Sequence, residues 1–465
     1  MSTDDVSASG SQDEGFRPEV IVPPWKDPDR RRYRNAEEVR GVARDLAEQH
    51  VVVEVLAIQD GRVRVLDEKD YDQAMFMWEK GVLLTRREYR EDVQRHFKGA
   101  YEVHSGGVAG IVKMVLPEDT SVASAINTLT LTEGVGIAGP NYVFHITSGG
   151  AGACPASDPV PAVADAPWPA SECGDEFSGE GVRVVVVDTG FDEKTAASAP
   201  WLDGVTGDQE MINPHDLGPY AGHGTFVAGV IRAMAPRASV TVRGFLTKGG
   251  AITDEALSAQ LAAALADRPD IVSMSAGTYT MDNQCPMAFE DTWKKHADKR
   301  TLLVAAAGND TTDRLFFPAA GSAAVGVGAL TADGAGRAPY SNFGTNADVY
   351  AVGTGHVNAY PNGRYVYRHD QPPTRAADFT HWRASWDGTS FATPLVSGVI
   401  AARMSGRALT SNDAWDEVRA LAQAQPVPGA GPAVTPAMAC SPRPIVGDGT
   451  CCCCHCDCSP QGSAT

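Results

Sequence analysis

Apolar positions near the start of the chain recur at helical spacing. Val39, Val42, Ala43 and Leu46 share one face behind Asn35, a residue suited to capping, so a helix is expected over 36–49. Residues 51–58 and 62–66 read as strands, and Asp60-Gly61 between them is a hairpin turn signal. A second helix is expected over 86–97. A strand over 110–116 follows, then a helix capped by Thr120 or Ser121, with Val122, Ala125, Ile126 and Leu129 on one stripe. Gly139-Pro140-Asn141 reads as a turn into a strand over 142–146. This mixture suggests small α+β modules, one over 17–100 and one over 101–148.

Periodicity is lost from 147 to 181, where Gly, Ala, Pro and Ser dominate, so 149–181 is read as a linker. Beyond it strands and helices alternate. The valines at 184–187 form a continuous apolar run, the mark of a strand buried on both faces. Further strands are expected over 240–245, 271–275, 302–307, 323–330 and 349–352. Leu257, Leu261 and Leu265 stripe a helix capped by Thr253, and helices are also expected over 289–299, 390–404 and 411–424. Repeated βα units predict an α/β domain over 182–426, a doubly wound parallel sheet with helices on both faces. The flanks, 1–16 and 427–465, read as disordered.

Composition narrows the function classes. Of 465 residues, 43% are hydrophobic and 21% charged, which suits a globular protein. The formal net charge of -19, from 39 basic and 58 acidic side chains, argues against nucleic acid or an anionic membrane as partner. No apolar run is long enough to span a bilayer. The first residues, MSTDDVSASGSQDEGF, have neither a basic nor an apolar leader region, so the expected location is cytoplasmic, with non-classical export left open. Seven of the ten cysteines lie at Cys440, Cys451–Cys454, Cys456 and Cys458, so the α/β domain is not expected to be a disulfide scaffold.

Four segments carry chemistry. Asp188-Thr189-Gly190 ends the buried valine strand, where a carboxylate needs a partner. His223 lies between Gly222 and Gly224 at the start of a helical stretch, where small neighbours admit close backbone approach. Asn309 follows Gly308 at the end of an apolar strand and can aim an amide donor at an oxyanion. Ser390, in Gly388-Thr389-Ser390-Phe391-Ala392-Thr393-Pro394, opens a helix whose N-terminus favours negative charge. Each alone has a plain structural reading as a turn, a packed imidazole, a left-handed Asn or an N-cap. Together, in this order, they supply an orienting carboxylate, a base, an oxyanion donor and a nucleophile.

Residues 182–405 resemble a subtilisin-type serine peptidase, whose Asp-Thr-Gly, His-Gly-Thr, Ala-Gly-Asn and Gly-Thr-Ser-x-Ala-x-Pro blocks are matched in order. The spacings fit too, 223 − 188 = 35 and 390 − 223 = 167. The resemblance implies catalysis by Asp188, His223 and Ser390, with Asn309 and the Ser390 N–H as oxyanion donors. It also implies that Ser275-Ala276-Gly277 on one side and Gly250 on the other pair with substrate backbone, and that Gly308 borders the site. The implied substrate is a peptide or an unfolded protein, added as a strand. Residues 101–148 resemble, loosely, the family's pro-domain, which covers the groove and ends in the first segment cleaved. A processing site is then expected within 147–181, with an intact regulatory module as the alternative.

Departures from the pattern set further expectations. The stretch after His223 lacks the loop of the family's high-affinity calcium site, so that calcium is not expected and no cofactor is required. Phe316 stands where some members have Gly and is expected to narrow the pocket for the side chain before the cleaved bond. Asp310, placed near its rim, is expected to favour basic residues there. The tail Cys451–Cys458, with His455 and Asp457, is a candidate for zinc or copper, or for redox sensing. Two other readings stay open: a peptide-binding relic without catalysis, and a metal- or redox-sensing protein built on the tail. No oligomeric state is implied.

Overall fold

The computed structural model describes residues 28–103, 108, 110–146, 156–163, 173–367 and 375–443, with side chains of the first helix described from Ala36 onward. The tail Cys451–Cys458 and the acidic residues 1–16 lie outside the described residues.

Seven parallel strands form the larger sheet, in the order Val349–Val352, Ala324–Leu330, Leu302–Ala306, Ile271–Met274, Arg183–Asp188, Ser239–Gly244, Thr206–Gly207. The valine run is an interior strand, paired with Ile271–Met274 on one side and Ser239–Gly244 on the other. Val184 and Val186 pack into one apolar cluster and Val185 and Val187 into another, because side chains alternate across a strand and both faces carry helices. Helices His223–Met234 and Thr389–Arg407 pack together and supply the first cluster; Asp254–Leu265 and Met287–His296 supply the second.

The N-terminal region corrects the expected division at 100. Strand Phe76–Arg86, absent from the sequence reading, pairs with Val53–Gln59, with Ile111–Val115 and with Ala138–His145. One sheet therefore runs through both expected modules. Its pattern was hidden because Glu79, Lys80 and Gly81 interrupt it, with Gly81 at φ 67° and the register shifting between Trp78 and Leu83. Trp78, Leu83 and Leu84 on either side are fully buried. The expected turn at 139–141 is instead strand, with Gly139 facing Leu84 and Pro140 facing Leu83.

Two other expectations are corrected. Part of the expected linker is fixed to the α/β domain: Val160 and Pro161 pair with Ser385 and Ala384. The Trp386 indole donates to the Ser157 carbonyl at 2.7 Å, and the Tyr365 hydroxyl to Asp158 at 2.7 Å. The C-terminal flank is also packed onto the domain beyond the expected limit at 426. Fully buried Arg403 donates to the Met438 and Ser441 carbonyls at 2.8 and 3.0 Å and pairs with Glu417. A Cys173–Cys440 disulfide ties the two flanks together, a crosslink absent from the sequence reading. These segments lack periodicity because polar ends of distant side chains hold them, and a single sequence does not display such pairs.

Candidate active site

The site lies beyond the C-terminal ends of the parallel strands, beside Arg183–Asp188, from which the strand order runs to both sides. Asp188 ends that strand fully buried. Its Oδ1 accepts the Thr189 N–H at 2.8 Å and lies 2.7 Å from Nδ1 of His223, also fully buried. The pair answers the demand of a buried carboxylate for a partner and sets the imidazole with Nδ1 toward Asp188 and Nε2 away from it. Nε2 is buried and makes no hydrogen bond within the described residues.

Glycines place His223. Gly222 has φ 74°, a left-handed conformation, and a Cβ there would come within 2.4 Å of the Pro361 ring. At Gly224 a Cβ would lie 2.3 Å from the Gly190 carbonyl oxygen, so only glycine lets the helix start approach the Asp188 strand. The Gly222 N–H donates to Glu210 at 3.0 Å; burial pushes this carboxyl well above the usual range, with Asp188 and Asp192 adding to the effect. Around the ring, Trp386 stands edge-on at 5.4 Å and Phe391 tilts at 5.4 Å between centroids. Neither Glu210 nor Trp386 was found by sequence reasoning; an acidic or aromatic residue in a loop carries no signal of such contacts.

Ser390 and Asn309 meet through Thr389. The Asn309 carboxamide oxygen accepts both the Thr389 N–H and the Thr389 hydroxyl at 2.9 Å. This fixes the amide flip and turns its NH2 away from Thr389. Ser390, fully buried, is the second residue of helix Thr389–Arg407, and the Ser275 hydroxyl donates to its carbonyl at 3.2 Å. Cys285 is no rival nucleophile, since burial pushes its thiol up.

Of the remaining expected residues, Gly250 and Gly277 flank a groove that holds a strand of the chain itself. Ala138–His145 lies antiparallel to Ala251–Thr253. On its other side His145 and Gly277 exchange hydrogen bonds, His145 N–H to the Gly277 carbonyl at 3.0 Å and Gly277 N–H to the His145 carbonyl at 3.1 Å. The Ile146 N–H donates to the Gly250 carbonyl at 2.8 Å. Gly250 and Gly277 thus grip one extended segment from both sides.

Asp310 corrects an expectation. It is buried and accepts the Tyr279 hydroxyl at 2.5 Å, while its own N–H donates to Asn342 at 2.9 Å. It is committed to Tyr279 and does not present a charge at a pocket rim. Among the described residues no group of three or more His, Cys, Asp or Glu is placed to hold a metal ion. No helix among them is long and apolar enough to cross a membrane.

The profile of the subtilase family, Peptidase S8, matches residues 179–425, more than half of the chain. The chain belongs to the subtilase family. An intracellular serine protease of Paenibacillus polymyxa is 30% identical over 244 residues, 48% of this chain and 66% of that protein. Subtilisin E of Bacillus subtilis is 28% identical over 245 residues, 49% of this chain and 57% of that protein. The chain thus spans less than two thirds of the length of these two relatives. Thermitase of Thermoactinomyces vulgaris is 28% identical over 256 residues, 52% of this chain and 82% of that protein. Among solved structures, fervidolysin from Fervidobacterium pennivorans, described as a keratinolytic enzyme related to subtilisin, superposes with a TM-score of 0.55 at 18% identity. That match covers 79% of this chain and 62% of fervidolysin and shows the subtilisin-like fold.

Proposed function

We propose that this subtilase is a serine endopeptidase made as a self-blocked precursor. Ser390 Oγ attacks the carbonyl carbon of the peptide bond while His223 Nε2 takes its proton. Asp188 holds the imidazole through Nδ1 and stabilises the imidazolium. The oxyanion accepts hydrogen bonds from the Asn309 amide and the Ser390 N–H. Collapse breaks the C–N bond, and the leaving amine takes the proton from His223. Water then attacks the acyl-serine, with His223 receiving its proton and returning one to Ser390.

The observation that carries this reading is the strand Ala138–His145, continued by Ile146, gripped between Gly250 and Gly277. It has the backbone pairing that a peptide substrate would need. The N-terminal sheet ends in the groove, and the Ala156 N–H donates to the Asp387 carbonyl at 2.8 Å, three residues before Ser390. Both ends of the stretch 147–155 thus lie beside the site, which supports processing between Ile146 and Ala156. Peptides and unfolded proteins are the substrate class, and the relatives' printed names, serine protease and thermitase among them, support it.

The cytoplasmic expectation meets one observation of a different tendency, the Cys173–Cys440 disulfide, since such bonds persist in oxidising compartments. Acid-trapped thiol alkylation of cell-derived protein reads which state is present.

The central test is intact mass of the full chain beside Ser390→Ala. A cut between Ile146 and Ala156 in the wild type alone supports the reading. Two uncut proteins, with no labelling of Ser390 by a fluorophosphonate after the N-terminal region is removed with an added protease, overturn it.

A further inference from the structure

Past the ends of strands Ile271–Met274 and Leu302–Ala306 stand two glycines, Gly277, which pairs with the gripped strand, and Gly308, which precedes Asn309. A Cβ at Gly277 would lie 2.4 Å from Cε1 and 2.7 Å from Cζ of Phe316; a Cβ at Gly308 would lie 2.5 Å from Nδ2 of Asn342 and 3.2 Å from Cδ1 of the same phenyl ring. The Phe316 ring thus lies against both glycines, and it is almost fully buried in a cluster that also holds Tyr279 and Tyr142.

The ring is held from behind. Phe316 pairs with Tyr279 across a two-stranded ladder, and the two rings tilt together with centroids 5.0 Å apart. The Phe316 N–H donates to Asn346 at 2.8 Å. Tyr279 is itself pinned, donating to Asp310 at 2.5 Å, accepting from the Asn342 amide at 2.9 Å and lying under the Arg314 guanidinium at 4.4 Å. Moving Phe316 aside would disturb this whole set.

The geometry points to Phe316 as the residue that determines specificity, by closing the pocket for the side chain immediately before the cleaved bond. This rests on the endopeptidase reading above. With the ring against both glycines, that side chain must be small: Gly, Ala, Ser or Thr. The gripped strand runs along the Gly277 wall, since His145 pairs with Gly277 and the Ile146 N–H donates to Gly250, while the Gly308 N–H on the other wall donates to the Thr389 hydroxyl beside Ser390 at 3.3 Å. In the sequence Ile146 is followed by Thr147, Ser148, Gly149 and Gly150, all small.

The test compares peptides that differ only at this position, Ala or Thr against Leu or Phe, on the self-processed enzyme. The readout is the ratio of kcat/KM values within one preparation, which is independent of the active fraction. Wild type is expected to favour the small residues by about 100-fold, near the upper end of what apolar pocket fit achieves. Phe316→Ala is expected to remove or reverse that preference. Phe316→Leu keeps more of the buried packing and is expected to shift the ratio in the same direction, by less. A wild type that prefers Leu or Phe, or a ratio unchanged in both variants, overturns the proposal while leaving the peptidase reading intact. Failure of wild type to cleave any of the peptides, with Ser390 not labelled by a fluorophosphonate, overturns the peptidase reading and this proposal with it.

Discussion

His145 makes the groove strand sensitive to acid. It is fully buried between the two edges that grip it, and burial alone pushes its imidazole down to about 3. When the strand leaves the groove the ring returns to its ordinary value of about 6.5. The released state thus binds the proton more readily, and docking loses free energy as pH falls. The contribution is complete above 6.5 and is lost progressively as pH drops from 6.5 toward 3. Between pH 7.5 and pH 5.0 the loss is about 1.5 pH units at 1.36 kcal/mol each, or about 2 kcal/mol, roughly a 30-fold rise in the released population. Asp254, whose carboxyl burial pushes up to about 7, titrates in the opposite sense: acidification protonates it and favours its buried state. Comparison with His145→Gln cancels that term, because both proteins contain Asp254. The assay is hydrogen exchange of peptides covering 138–146 in the uncleaved Ser390→Ala protein, corrected for intrinsic exchange. Protection should fall roughly 30-fold more in the His145 protein than in the Gln variant. Equal pH responses in the two would refute the reasoning.

Three further outcomes are expected. Asn309→Ala should lower kcat by about 10²–10³, a magnitude known for this donor in the family rather than worked from this site, with KM little changed in steady-state assays. Arg403→Leu leaves the Met438 carbonyl without its buried donor, while Arg443 still pairs with Glu417 and Arg407 still serves the Ser441 carbonyl, and should cost about 1–3 kcal/mol in denaturant unfolding. Replacing Cys173 and Cys440 by Ser removes a crosslink with a sequence separation of 267 and should cost about 2–5 kcal/mol, lowering Tm by roughly 5–15 °C in calorimetry.

The α/β unit and the residues that stand at its strand ends were legible in the sequence alone. The valine run announced a strand buried on both faces, and it lies in the interior of the sheet. Asp188 and His223 were nameable because a carboxylate ending such a strand and a histidine between two glycines are local features, and the structure joins them at 2.7 Å. Asn309 and Ser390 were nameable for the same reason, although only the fold shows that Thr389 connects them. Whatever depended on partners far apart in the chain was left to the tertiary structure. Phe76–Arg86 became a strand because three neighbours paired with it, despite the polar interruption in its pattern. Ser157 and Asp158 in the apparent linker and Met438 in the C-terminal flank are held by buried hydrogen bonds from Trp386, Tyr365 and Arg403. Asp310 turned from an expected pocket charge into the acceptor of the Tyr279 hydroxyl, and the Phe316 ring came to lie against Gly277 and Gly308. Periodicity and motif spacing record what a residue asks of its immediate neighbours; which distant surface answers is decided only when the chain packs, since burial and hydrogen-bond satisfaction are properties of the assembled fold.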